Sequence, residues 1–385
     1  MRMVSLFLAC LACTGHAHTT HKPGVRLKHK QYHQSAERSE PTNALASYLL
    51  GFTPMSAFNP SRTATGKTDH SVTVRLASNR RSSAVQMMPA LPAGANVLLF
   101  GNGPVLCLAA RLAAIRGFST TLLTQGGKNK DEAQQLCFDE TNLPESSASL
   151  TLLSLSGNDD EKDAIQAAID NADGIILAFD DSNARVSEGA LSVIMPATSK
   201  AKHISVMSRY LNGAGMGFWP TSARATTNPD IWNAPAESVS AYKKMESMVR
   251  DTASERGASF TVIRAGTLKG GARGEDTGAG EKSFLNRYFY NLGVRDVANW
   301  QLIYDLNFLG VEISKGDTLP GPGLGAIITS RQEGGDGDSH RGAVASALVE
   351  SLRTPAAQNG DFSVKTVKSR DFPSLEEFQA MFEKA

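Results

Sequence analysis

Apolar residues along this chain come in short, regularly spaced runs, and their spacing predicts its elements. Asn96–Phe100 is an apolar run that stops abruptly at Gly101-Asn102-Gly103-Pro104. Beyond it Val105, Leu106, Leu108, Ala109, Leu112, Ala113 and Ile115 recur with helical spacing as far as Gly117. A second apolar run, Thr120–Thr124, follows. Strand, tight turn, helix and strand in that order predict a βαβ unit. Further strand-like runs at Leu150–Leu155, Gly174–Phe179, His203–Met207 and Phe260–Ile263 alternate with helical or loop stretches such as Asp160–Asn171 and Ala241–Arg256. Such alternation predicts an α/β fold, a doubly wound parallel sheet with helices on both faces. Right-handed crossovers then bring Gly101, Thr124, Phe179, Ser208 and Arg264 to one edge of the sheet, where a ligand is expected.

The glycine turn is the first candidate for chemistry. A pyrophosphate that approaches a helix N-terminus meets free N–H groups and the helix dipole, and a side chain there would obstruct it. Gly101 and Gly103 meet that need, so Gly101, Asn102, Gly103, Pro104, Val105 and Leu106 form the candidate cofactor-binding turn. Leu106 holds the third position of the GxGxxG pattern, so the contact there departs from the common form. A tight turn with no ligand is the alternative. A methyltransferase also binds its nucleoside after such a turn, but it usually places acids where Phe100 and Thr124 stand. With no acid after the second strand to accept from a ribose 2′-hydroxyl, strict NAD selectivity is not expected. Lys128 and Lys130, just beyond Thr124, are candidates for meeting the 2′-phosphate of NADP, with a solvated loop as the equal alternative.

Later residues carry a resemblance. Glu246–Arg250, Gly257 and Phe260–Leu268 resemble the helix-to-strand signature of the atypical short-chain dehydrogenase/reductases, NAD(P)-binding Rossmann proteins whose last strand ends in Arg-Pro-Gly; Ala265 replaces the proline. Asp338–Ala345, with Leu348 and Leu352, is similar to the family's closing helix, and Asp361–Val364 to its final strand. The resemblance runs patchily from Asn96 to Val364, with a departure between Gly270 and Leu324. It implies an NADP (or NAD) cofactor and a small-molecule substrate. In the family a serine ending strand five holds the substrate carbonyl, a tyrosine moves the proton, and a lysine four residues later binds ribose. Ser208 and Tyr242 occupy the corresponding places, but Glu246 stands four residues after Tyr242, with Lys243 and Lys244 beside the tyrosine. The candidate catalytic set is Tyr242, Ser208 and Lys243, with a partly buried helix tyrosine and a strand-end polar residue as the alternatives for the first two; Arg264 at the strand end faces cofactor or substrate, or else pairs with a neighbouring acid. Two functions stay open: an NADP(H)-preferring oxidoreductase on a small organic substrate, and a non-catalytic dinucleotide-binding assembly or redox-sensing protein of the plastid.

Composition narrows the field. A chain of 385 residues, 41% hydrophobic, is long enough to bury a sizeable core. A net charge of +1, with bases and acids interspersed, offers no stripe for nucleic acid. Of the four cysteines, Cys107 and Cys137 form no metal-spaced pair, so no metal site is expected. His16, His18, His21, His29 and His33 belong to a basic leader. Met1-Arg2, the apolar run Met3–Cys13 and small residues up to Ala17 make residues 1–17 a signal peptide. Residues 18–90, whose acids are Glu37, Glu40 and Asp69, have the composition of a transit segment and are expected to be disordered. Together they resemble the leaders of algae whose plastids have extra membranes, and Ser56–Pro60 is similar to their Phe-containing cleavage motif. Plastid import is the expectation, with secretion the alternative. No later run has the ~18 consecutive apolar residues of a membrane span. Residues 95–385 are read as the dinucleotide-binding domain, with an aromatic lid at 213–237 and a small cap insertion at 270–325 where substrate choice is expected to reside.

Overall fold

The computed structural model describes residues 89–124, 128–137, 148–155, 159–180, 200–212, 235–270, 304–318 and 337–385. The leader up to residue 88 lies outside the described residues, as do the lid up to residue 234 and most of the cap.

The first unit is β1 (Asn96–Asn102), α1 (Pro104–Ile115) and β2 (Ser119–Thr124), as the apolar spacing predicts. There follow α2 (Lys128–Cys137), β3 (Leu150–Ser154), α3 (Asp159–Asn171), β4 (Gly174–Phe179) and β5 (His203–Arg209). The long helix α4 (Pro235–Arg256) leads to β6 (Ser259–Ala265) and the short β7 (Thr267–Lys269). The chain closes with β8 (Gly310–Lys315), β9 (Asp338–His340), α5 (Arg341–Ser351), β10 (Gly360–Val367) and α6 (Leu375–Lys384).

These elements make an α/β doubly wound fold of the Rossmann kind. The main sheet has the order β3-β2-β1-β4-β5-β6-β10-β8, parallel except for the edge strand β8, which runs antiparallel to β10. The path moves outward from β1 to β3 and then returns to the other side of β1 at β4, so the strand order reverses between β1 and β4.

Why the sheet is covered on both faces can be read along a single strand. Val97 and Leu99 enter one apolar layer, with Leu106, Leu108, Leu112, Val344, Leu348 and Phe378. Leu98 and Phe100 enter the other, with Ile165, Ile169, Met245 and Val249. Consecutive residues of a strand point to opposite faces, so an unbroken apolar run demands a helical layer on each side. Helices α1 and α5 cover one face, and α3 and α4 the other.

Two stretches differ from their expected form. β8 lies within the segment read as a cap, yet it extends the main sheet. Asp338–His340, read as the start of the closing helix, instead forms β9 and pairs in parallel with β7, and the helix begins at Arg341. All three residues are buried, and Ser339 Oγ accepts from the Gly266 amide at 2.8 Å, which ties this piece to the strand rather than to a helical turn.

Candidate functional site

The reversal of strand order puts the β1–α1 turn beside the C-terminal end of β4. Gly101 and Gly103 both take left-handed φ values, +146° and +85°. A Cβ on Gly101 would lie 1.7 Å from the carbonyl oxygen of Ala178, and one on Gly103 would lie 2.5 Å from the Cβ of Asp180. The packing of β1 against β4 therefore already requires both glycines, before any ligand is considered.

Helix α1 opens with Pro104 directly after Gly103, and no side chain caps its N-terminus. Proline suits this position because its missing N–H would have no intrahelical partner. The amides of the following Val105 and Leu106 also precede the first intrahelical hydrogen bond, which runs from Cys107 N to Gly103 O at 3.3 Å. Their side chains are buried in the core, so these residues offer backbone rather than side chains to the crevice. Asn102 ends β1 in register with Phe179. Thr124 ends β2 in register with Gly101 and is buried. Lys128 opens α2. Lys130 is engaged by Glu161 of α3, with Nζ and Oε1 3.1 Å apart.

An acid completes this end of the sheet, and sequence reasoning did not single it out. Asp180 follows β4, its amide donates to Asn102 O at 3.2 Å, and its side chain lies against Gly103. The carboxylate is buried and accepts from Arg341 Nε at 2.9 Å; Arg341 Nη1 also donates to Gly270 O at 2.9 Å. On α2, burial pushes the Glu132 carboxyl above its ordinary value, and the charge of Asp180 adds to the effect. The available signal was an acid immediately after a fully apolar strand on the expected ligand edge. The partner Arg341, at the start of α5, could be assigned only from the assembled fold.

The remaining predicted residues lie along β5, β6 and α4. Ser208 is buried, and its Oγ donates to Glu246 Oε1 at 2.7 Å. Arg264 donates to the same carboxylate twice, from Nε at 3.1 Å and from Nη2 at 2.8 Å, and also pairs with Asp361. Arg250, one turn along α4, reaches Glu246 Oε2 at 3.2 Å. Burial works against the charge of Arg264, but Glu246 and Asp361 more than offset it and hold the guanidinium above its ordinary value. Tyr242 is buried in the apolar layer shared with Met245 and Val249, one turn before Glu246. Lys243 is exposed. The structure thus joins Ser208 and Arg264 through Glu246, and it leaves Lys243 exposed while Ser208 and Tyr242 are buried.

A different tyrosine and lysine do meet. Lys269 Nζ lies 3.3 Å from the Tyr304 hydroxyl and 2.9 Å from Asp338 Oδ2, while the same hydroxyl donates to Asp338. Burial first, and Asp338 second, push the Tyr304 phenol well above its ordinary value. Among the described residues no group of His, Cys, Asp and Glu could hold a metal ion, and no helix is long and apolar enough to cross a membrane.

No protein-family profile and no curated protein matches this sequence. Solved structures do resemble it. A UDP-N-acetylglucosamine 4-epimerase from Methanobrevibacter ruminantium, in complex with UDP-N-acetylmuramic acid, is 13% identical, with 76% of this chain and 81% of that one covered and a TM-score of 0.39. Gre2 from Candida albicans, in complex with NADPH, is 10% identical over 71% of this chain and 79% of that one, with a TM-score of 0.37. Vestitone reductase from alfalfa is 15% identical over 67% of this chain and 73% of that one, also with a TM-score of 0.37.

Proposed function

We propose that this chain binds a nicotinamide dinucleotide at the C-terminal edge of its sheet, NADP(H) in preference to NAD(H). The observation that carries the reading is that α1 begins without a side-chain cap at the point where the strand order reverses. In open α/β sheets that crevice, with its outward amides and helix dipole, is where an anionic dinucleotide rests. The residues present fit the diphosphate through backbone: Gly101, Asn102, Gly103 and Pro104 shape the turn, and Val105 and Leu106 supply amides. Thr124, which ends β2, would border the adenosine side, and Lys128, which opens α2, is the candidate for meeting a 2′-phosphate. Bound there, the group would supply hydride transfer, and the chain would act as an oxidoreductase on a small organic substrate. The leader, residues 1–90, would place this activity in the plastid.

A second reading, a non-catalytic dinucleotide-binding assembly or redox-sensing protein, is favoured by one observation. The hydroxyl of Ser208 is held by Glu246, Tyr242 lies in the apolar layer, and Lys243 stands in solvent. Titrating the full chain with NADPH and NADH, and following nicotinamide fluorescence, tests the binding that both readings share. Saturable binding of NADPH at micromolar concentrations is expected, and weaker binding of NADH. If neither nicotinamide binds, both readings fail.

A further inference from the structure

The dinucleotide reading meets a physical obstacle at its centre. Asp180 is a buried carboxylate whose Cβ occupies the space beside Gly103, the residue that caps α1. A diphosphate placed over that helix start would face another negative charge across a few ångströms of poorly solvated space. At such separations, and at the effective dielectric of a protein interior, the repulsion between like charges is large enough to outweigh what a helix dipole supplies. Glu132 on the neighbouring α2 is a second acid that senses Asp180.

One cation in the described structure answers this charge. Arg341 reaches back from the first position of α5 and sets its Nε 2.9 Å from Asp180 Oδ2. Its Nη1 is anchored 2.9 Å from the carbonyl oxygen of Gly270. The side chain is 13% exposed and that of Asp180 is 2% exposed, so the pair is shielded from the screening that weakens surface ion pairs. Asp180 and Arg341 are 161 residues apart in sequence; Asp180 follows β4 of the main sheet, and Arg341 follows β9 of the separate two-stranded β7–β9 pair.

We propose that Arg341 is a positioning residue for the anionic ligand: it neutralises Asp180 and so makes the Gly103 turn acceptable to a diphosphate. This rests on the dinucleotide reading. The arginine acts through the acid, and its removal matters only while the acid is present. A purely structural role would show that dependence in the melting temperature and leave the affinity of the folded variants unchanged.

The test is a set of NADPH titrations of the full chain, with melting temperature recorded for each variant. Arg341→Ala is expected to weaken NADPH binding at least about tenfold, the scale of one uncompensated charge at short range. Arg341→Lys, which keeps the charge, should stay within about threefold of the wild type. The decisive variant is Arg341→Ala combined with Asp180→Asn, which should recover the wild-type affinity to within about threefold. An Arg341→Ala protein that folds and binds as the wild type does overturns the proposal, as does a double variant that binds as weakly as the single one. Should Arg341→Ala fail to fold, Asp180→Asn alone decides. Affinity should then be equal or higher, and a tenfold loss overturns the proposal. Failure of the underlying reading looks different, because the wild type itself then binds neither nicotinamide and the proposal falls with it.

Discussion

The two halves of the sheet's C-terminal edge are built on opposite plans. Around β1 and β4 the surface is mostly backbone: two left-handed glycines, an uncapped helix start, and one acid whose charge is answered by one arginine from a distant helix. Around β5 and β6 the same edge is filled by side chains that satisfy one another, with Glu246 receiving Ser208, Arg264 and Arg250 at once. A buried carboxylate surrounded in this way is costly to disturb and has little capacity left for a ligand. The first half presents a helix start that no side chain caps, whereas in the second the donors of Ser208 and Arg264 are taken up by Glu246 and Asp361. The functional residues proposed for the first half are accordingly backbone positions. Ser208 and Arg264, which sequence spacing would assign to substrate or cofactor, hold α4 and β10 to the sheet.

The comparison can be broken most severely at Gly101. Gly101→Ala forces a Cβ onto the Ala178 carbonyl oxygen, a backbone atom that cannot move without parting β1 from β4. A loss of at least about 4 kcal/mol is expected, enough to consume most of an ordinary domain's stability. Circular dichroism melting checks it, and a variant with an unchanged melting temperature would show that the β1–β4 contact is not as close as described.

Glu246→Ala sharpens the contrast. It strips Ser208 and Arg264 of their shared acceptor and leaves Arg264 with Asp361, so a cost of about 3 kcal/mol in chemical denaturation is expected. Below the unfolding transition NADPH affinity should stay within about threefold of the wild type, since the alanine removes no group from the glycine turn. A folded variant that no longer binds would mean that the two halves are not separable.

The third effect is confined to acid pH and vanishes near neutrality. His203, at the start of β5, is buried between Ser259 Oγ at 2.8 Å from Nδ1 and Thr261 Oγ1 at 2.9 Å from Nε2. The Thr261 hydroxyl donates to Ala357 O, so it accepts from Nε2–H, and the Nδ1 of the neutral ring can accept from the Ser259 hydroxyl, which shares its hydrogen with Lys202 O at 3.2 Å. Burial lowers the imidazole from its ordinary value of 6.5 to about 3. Because the folded value lies below the unfolded one, this contribution is fully present above pH 6.5 and is lost as pH falls toward 3. The expected slope is about 1.4 kcal/mol per pH unit within that window. His203→Gln should flatten the acid limb of a stability–pH curve by one proton, and an unchanged slope would remove histidine burial as its cause.

Much of the fold was legible along the chain. β4 occupies the predicted residues, and β1, β3, β5 and α3 differ from prediction only at their ends, because unbroken apolar runs and helical spacing are local signals. The glycine turn was legible for the same reason. The β7–β9 pair was not, since Asp338–His340 carries no strand pattern and is held by contacts to Gly266 and to β10. For Tyr242 the sequence left two fates open, proton donor or partly buried helix tyrosine, and the structure buries it. Helical spacing correctly puts it on the face of Glu246, but it does not reveal that the face looks into an apolar layer.

By itself the sequence determined the α/β alternation, the place of the β1–α1 turn and the edge on which strands end, all of which follow from periodicity and from where glycine and proline interrupt it. Only the tertiary structure decided which charges meet there. Asp180 with Arg341, and Glu246 with Arg264, are paired by the order in which strands and helices assemble, and an ion pair between distant residues leaves no periodic trace in the chain.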